Sequence, residues 1–406
     1  MWFLEVVNDF IIGYPIFVSI IWITGCIFGM IYRNKYEKPS KTLKKRPLVS
    51  ILVPAHNEHD TLQSAVDSIS KLNYKNFELV LIDDKSSDDT LRIMGKIKRE
   101  YSKLFPIKIV KIPVNQGKAN AMNQGSKHAD GEYIMGIDAD SILDRNSLNI
   151  IVDELNRHPD VGAVAGKPVV RNRTTVLGRL QLLEYVGVID IIKKAQSFIT
   201  GRITTVSGVI VGFRKKAIQD VHGWNPKVMT EDIDITWRLY RHNWEVRYDP
   251  NIVCWILVPE NIKNLIKQRR RWARGGLEVL FNNRDMLLHG AISERLLLTE
   301  TIVSDVWAIL TTLSTISYVF SLFTVHAVQL DGDVLLVLLL ISCLQFLIGF
   351  FSSRKNAYMQ FVDLLLVPIY VIFYWMINLI SCIAAIISFI LDPQHIGTWR
   401  SPDRGR

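Results

Sequence analysis

The sequence predicts an α/β domain with a mostly parallel sheet, set between apolar helices long enough to cross a membrane. Two observations lead there. Residues 47–290 alternate short apolar runs of strand length with amphipathic stretches of helix length. Long apolar segments precede and follow that block. A 406-residue chain with 49% hydrophobic and 21% charged residues suits this mixture, being apolar for a soluble enzyme and polar for a pure membrane bundle.

The elements follow in order. Residues 3–32 are apolar apart from Glu5, Asn8 and Asp9, enough to cross a hydrocarbon core of about 30 Å and too long for a signal-peptide core. Residues 33–46 carry seven Lys and Arg against Glu37 alone, which places the following block in the cytoplasm. The span and its basic linker make up residues 1–46. In the block, residues 48–55, 77–84, 107–113 and 132–140 read as strands, two of them near-continuous apolar runs of the kind buried on both faces. Residues 61–72, 88–104 and 118–129 read as the intervening helices, joined by right-handed crossovers. Residues 291–392 hold further membrane helices: 296–325, interrupted by Glu300 and Asp305; 334–351 without a charge; and 361–391. The last would run about 46 Å as one helix, so a kink at Pro368 or a partly interfacial course is expected. The tail, 393–406, carries Arg400, Arg404 and Arg406, at odds with an external end after four spans.

The net charge of +9 is local. The windows 33–46 and 263–274 each carry +6, more together than the whole chain. A nucleic-acid footprint would be spread more widely, so no nucleic-acid partner is expected. Four cysteines show neither a disulfide framework nor metal-ligand spacing.

In an open parallel sheet, ligands sit beyond the carboxyl ends of the strands. The predicted strands end in PAHNE (residues 54–58), DDKSSDDT (83–90) and DAD (138–140), with NQGKANAMN (115–123) after the third. Each alone also fits a turn or a helix cap; four at one sheet edge point to chemistry. In extended chain Asp138 and Asp140 would face the same way and could share a hard divalent cation, Mg²⁺ or Mn²⁺, bridging to phosphate oxygens. Lys118 and the backbone near Gly117 would hold a nucleotide, and Asp83 or Asp84 a base or ribose. Thr230 reads as the N-cap of a helix with Glu231 and Asp232 in its first turn. Asp232 also suits a general base for a hydroxyl nucleophile, and the two roles are compatible.

On a helical wheel, residues 262–280 separate into three faces. Lys263, Lys267, Arg270 and Arg274 form a basic stripe. Ile262, Leu265, Ile266, Ala273, Leu277 and Leu280 form an apolar one, with Arg269 an outlier on it that has no evident partner. Together the two stripes suggest a helix at a membrane surface, in contact with lipid. Gln268, Arg271 and Trp272, spaced i, i+3, i+4, share the third face, where a guanidinium can meet phosphate and an indole a sugar ring.

This ordered set (PAHNE, DDKSSD, NQGKANAMN, DAD, TED at 230–232 and Q-x-x-R-W at 268–272) resembles the processive family 2 glycosyltransferases, over residues 48–290 and the flanking helices. The resemblance implies a GT-A domain that inverts the anomeric carbon. It assigns Asp232 as the base and Asp138 and Asp140 to the diphosphate and metal, with Asp140 the more direct ligand. It assigns Ala55, Glu58, Asp83 and Lys118 to substrate binding, with uridine at Asp83 and its neighbours. Gln268 and Arg271 would bind diphosphate, Trp272 would line the acceptor site, and VSG (206–208) falls where the family has an acceptor loop. The wording is most similar to bacterial poly-β-1,6-N-acetylglucosamine synthases of the intercellular-adhesin type. That implies UDP-GlcNAc as donor, a growing polymer passed through the membrane, a small membrane accessory subunit, and a multi-pass cell-membrane location. Other readings are a chitin-oligosaccharide or hyaluronan type of synthase, a polyprenyl-phosphate glycosyltransferase, and a non-catalytic lipid-binding adaptor.

Overall fold

The structure, a computed structural model, describes residues 2–36, 43, 45–322, 332–357 and 359–392. In chain order, α1 (Trp2–Tyr36) is followed by β1 (Val49–Ala55), α2 (Leu62–Ser70), β2 (Phe77–Asp83), α3 (Thr90–Tyr101), β3 (Ile107–Lys111), α4 (Lys118–Lys127) and β4 (Tyr133–Ile137). Then come β5 (Ile142–Leu143), α5 (Ser147–Arg157), β6 (Val161–Val170), α6 (Val176–Glu184), a π-helical turn (Tyr185–Ile189) and α7 (Asp190–Thr200). β7 (Ile210–Arg214), α8 (Lys215–Asp220), α9 (Glu231–Arg241) and β8 (Glu245–Ile256) complete the sheet region. The chain continues with α10 (Ile262–Asn282), α11 (Met286–His289), α12 (Ile292–Leu322), α13 (Gly332–Ala357), α14 (Phe361–Leu364), α15 (Val367–Ile369), a second π turn (Tyr370–Tyr374) and α16 (Trp375–Leu391). All four expected strands and three expected helices of the amino-terminal half are present. β4 ends three residues early, at Ile137 rather than residue 140.

The residues group into two compact units. Tyr32–Gly178 and Gly201–Asn261 build the sheet; α1 up to Ile31, Arg179–Thr200 and the helices from Ile262 onward build the other. The sequence assigned α10 to the sheet region, but its packing is with the apolar helices, α16 above all.

The sheet has eight strands in the order β3-β2-β1-β4-β7-β6-β8-β5. β3, β2, β1 and β4 are mutually parallel, so their carboxyl ends meet at one edge. β1 and β2 are buried along their whole length, as expected for strands covered on both faces. β7 then runs antiparallel to β4, with Ile210 opposite Ile137. That pairing brings the segment entering β7, residues 206–208, to the edge where β4 ends.

Among the described residues, four stretches are long and apolar enough to cross a membrane: Glu5–Tyr36, Ile292–Ser317, Leu336–Ser353 and Phe361–Leu391. The last is not one straight helix. It breaks after Leu364 and resumes with Pro368 inside the short α15, where a missing N–H costs least, before the second π turn. Asp305 on α12 accepts a weak bond from the Cys382 thiol on α16. The tail's side of the membrane lies outside the described residues.

The loops at the parallel edge are locked by Asp84. Its carboxylate accepts the backbone N–H groups of Gln116 (3.2 Å) and Gly117 (3.0 Å), and burial holds its pKa above the usual carboxylate range despite these two bonds. Replacing Asp84 with alanine removes both bonds from a fully buried site and is expected to cost about 3 kcal/mol. Asp84→Asn, which keeps one acceptor oxygen, should cost less. Thermal unfolding of the purified protein in detergent measures both.

Candidate functional site

Three successive loops leave β1, β2 and β3 through left-handed residues: Asn57 (φ 58°), Lys85 (φ 59°) and Gly117 (φ 87°). Side chains hold the first two loops together. Asn57 Oδ1 accepts Ser87 N–H at 2.8 Å, Ser86 Oγ accepts Asn57 N–H at 3.1 Å, and Thr90 Oγ1 accepts Glu58 N–H at 2.8 Å. His56 Nδ1 lies 2.9 Å from the Asp84 carbonyl oxygen, which can only accept, so Nδ1 carries the proton. Nε2 is then the acceptor for the Asn115 amide at 3.2 Å. Ala55 contributes its carbonyl to Asp84 N–H at 2.9 Å, Glu58 accepts from the Thr61 hydroxyl at 2.8 Å, and Asp83 accepts Ser86 N–H at 3.1 Å. All three are buried and help to shape the edge.

The charged centre is Lys118, the first residue of α4. Its ammonium donates to Asp138 Oδ1 at 2.5 Å and to the Gly208 carbonyl at 2.9 Å, with Glu231 Oε1 at 3.6 Å. Burial opposes the charge, but Asp138, Glu231 and Asp232 outweigh it and hold the lysine above its ordinary pKa. Gly208 N–H in turn donates to Asp232 Oδ2 at 3.1 Å. Lys118, Gly208, Glu231 and Asp232 line a small pocket walled by Met122, Val206 and Trp224.

Asp232 reaches this pocket because one face of α9 is stitched to the segment before β7. Thr236 Oγ1 accepts Val206 N–H at 2.9 Å, and Trp237 Nε1 donates to the Thr204 carbonyl at 3.1 Å. The Tyr240 hydroxyl accepts from Ile203 N–H at 3.0 Å and donates to its carbonyl at 2.8 Å. Thr230 occupies the N-cap position, yet its hydroxyl makes no cap bond and is buried without a partner, so the expected cap exists in position only. Asn123, on α4, grips the next loop by both backbone groups of Trp224: Oδ1 accepts the N–H at 2.8 Å and Nδ2 donates to the carbonyl at 2.7 Å.

Asp138 and Asp140 do not lie in extended chain as expected, because β4 stops at Ile137 and Ser141 N–H turns back to the Asp138 carbonyl at 3.1 Å. Asp138 is committed to Lys118, while Asp140 is 4% exposed. Lys118 itself sits among carboxylates, and the Gln116 and Gly117 amides are taken by Asp84. The sequence pattern did not disclose the α9 stitching or the roles of Glu231 and Asn123; the i, i+4 spacing of Asp232, Thr236 and Tyr240 was the available signal.

In the helical unit, Gln268, Arg271 and Trp272 lie on α10, with Arg271 exposed and the other two half-buried. Two expectations for this helix change. Arg274 is not on an exposed basic stripe: it is buried, donating to Glu278 Oε1 at 3.2 Å, to Ser388 Oγ at 2.6 Å and to the Asp392 carbonyl. Arg269 does have partners, Glu184 and Tyr374.

A family model described as glycosyltransferase like family 2 matches residues 46–275. A poly-beta-1,6-N-acetyl-D-glucosamine synthase of Staphylococcus epidermidis is 35% identical over 421 residues, covering 98% of this chain and 98% of its own length. One from Staphylococcus aureus (strain MSSA476) is 32% identical over 409 residues with the same coverage. Among solved structures, the mannosyltransferase PcManGT from Pyrobaculum calidifontis, in complex with GDP-Man and Mn²⁺, matches with a TM-score of 0.53 at 18% identity. That match covers 94% of this chain and 99% of that one, a likeness of fold.

Lys118→Met is expected to destabilise the protein by about 2 kcal/mol, below the cost of breaking a fully buried pair because the Lys118 and Asp138 side chains keep 18% and 20% exposure. The lysine's folded pKa is raised, so its contribution is complete at neutral pH and is lost only as pH rises through that raised value. The variant's deficit should therefore be constant through neutral pH and shrink in strong alkali, as thermal unfolding across pH would show.

Proposed function

The chain belongs to glycosyltransferase family 2, and from that premise we propose that it polymerises N-acetylglucosamine from UDP-GlcNAc into a β-1,6-linked chain and passes it through its membrane helices. The observation that carries this reading is the likeness to the two staphylococcal synthases, which extends over 98% of the chain and so includes both the sheet with its edge site and the apolar helices.

In this reading Asp232 is the base. It takes the proton from the 6-hydroxyl of the acceptor sugar as that oxygen bonds to C1 of the donor, the C1–O bond to UDP breaks, and the anomeric centre inverts. Gly208 N–H, bound to Oδ2, fixes the direction of the carboxylate, and Lys118 offsets the negative charge gathered at the pocket. Ala55, Glu58 and Asp83 shape the uridine end. For Gln268 and Arg271 we propose diphosphate binding, and for Trp272 contact with the acceptor sugar, on the chemistry of these side chains.

Among the described residues there is no group of three or more His, Cys, Asp or Glu side chains fit to hold a metal. Two carboxylates still suit Mg²⁺ or Mn²⁺, which complete their shells with phosphate oxygens. Asp140 would hold the ion, with Asp138 joining only by sharing itself with Lys118. Such an ion supplies neutralisation of the departing diphosphate. We propose further that the sheet unit is cytoplasmic at the cell membrane, following the basic run after the first span, and that a small membrane subunit assists.

Purified protein given UDP-GlcNAc and Mg²⁺ or Mn²⁺ should yield a polymer whose linkage analysis reports 1,6 bonds; a single lipid-linked sugar as sole product overturns the reading. Asp232→Asn should reduce polymer formation by about a thousandfold, within the range for loss of a general base. Full polymerisation by that variant removes Asp232 from the role. Asp140→Asn should raise the metal concentration needed for half-maximal activity, measured by titrating Mn²⁺ into metal-stripped enzyme.

A further inference from the structure

Arg269 is the second residue of the Q-x-x-R-W segment, yet it points away from solvent, with 5% of its surface exposed. Its Nη2 donates to Glu184 Oε2 and, at 2.9 Å, to the Tyr374 hydroxyl. Tyr374 donates to the same Glu184 oxygen at 2.8 Å, and the Asn378 amide reaches the other at 3.3 Å. Glu184 and Tyr374 are not ordinary helix positions: Glu184 immediately precedes the first π turn, and Tyr374 ends the second. Such turns break helical register locally and recur at functional sites. Burial alone would disfavour the guanidinium charge, but Glu184 more than offsets it, so Arg269 stays a cation.

The other side of the same guanidinium faces the motif. Arg269 Nη1 donates to Gln268 Oε1 at 3.0 Å, and its Cζ lies over the Trp272 ring, 4.2 Å from the centroid. A guanidinium only donates, so the Gln268 amide must turn its oxygen inward. Its NH₂ is therefore the group left to meet a ligand. The cation over its face likewise constrains the indole.

We propose that Arg269 is a positioning residue: anchored by Glu184 and Tyr374, it orients Gln268 as a hydrogen-bond donor and Trp272 as a sugar platform, and binds no substrate itself. This rests on the roles proposed above for Gln268 and Trp272.

The test uses the full chain, purified in detergent, with UDP-GlcNAc as substrate and kcat and KM determined separately. Arg269→Lys keeps a cation for Glu184 but loses the guanidinium over the Trp272 ring and the Gln268 bond. It should fold like the parent and lose about 100-fold in kcat/KM, the cost of an ångström-scale misplacement. Arg269→Met combined with Glu184→Gln leaves no unpaired buried charge, so it should recover most of the stability lost by Arg269→Met alone without recovering kcat/KM. Gln268→Glu can still accept from Arg269 but presents a carboxylate to diphosphate, so it should raise KM for UDP-GlcNAc more than it lowers kcat. Parental kinetics for Arg269→Lys, or activity restored along with stability in the double variant, would overturn the proposal and leave Arg269 as charge balance alone. Gln268→Ala and Trp272→Ala separate the premise from the inference. If both keep parental kinetics, the roles of those residues fail and the proposal fails with them. If both are slow while Arg269→Lys is not, only the positioning role fails.

Discussion

The sheet-edge site depends on one lysine among carboxylates. Asp138, Glu231 and Asp232 converge from the end of β4 and the start of α9, and three anions so close would repel one another strongly without a cation between them. Lys118 supplies that cation from the first turn of α4. The same ammonium binds the Gly208 carbonyl, and Gly208 N–H binds Asp232, so charge balance and the aim of the carboxylate come from one arrangement. A glycine suits position 208 for a simple reason: a Cβ there would stand 3.3 Å from both Lys118 Nζ and Asp232 Oδ2.

Much of this frame could be read from sequence because it follows from period and burial. β1 and β2 are apolar along their whole length since both faces are covered, and parallel strands put their polar ends at one edge. The edge residues were therefore findable as punctuation after apolar runs. What escaped depends on where the chain returns from afar. Gly208 reaches Lys118 because β7 pairs antiparallel with β4, a register no local pattern encodes. The expectation for Asp138 and Asp140 rested on extended chain, and the turn at Asp138 removed its basis.

α10 shows the same limit in the helical unit. The wheel correctly put Arg269 on the apolar side, but hydrophobic periodicity cannot say that a buried cation is matched by Glu184, some 85 positions earlier in the chain. Arg274 was misplaced for the complementary reason: charge suggested water, while the carbonyls of Ser388 and Asp392 near the end of α16 offered acceptors inside. Buried charges of this kind cost solvation and persist only where a counter-charge or hydrogen-bond acceptors lie close by, so they tie helices at particular positions rather than along a greasy face.

The grip of Asn123 on Trp224 bears on how variants of this protein would be interpreted. One primary amide satisfies a backbone donor and a backbone acceptor of Trp224 at once, just after a left-handed glycine, Gly223. Aspartate lacks the donor, leucine both groups, and glutamine is a methylene too long. In a mutational scan scored by product, position 123 would thus look as intolerant as the proposed base, Asp232, though its damage would be done by letting the Trp224 wall of the pocket drift. A map of intolerant positions would draw the proposed catalytic site too large here, and assays of folding and of turnover run side by side would restore its outline.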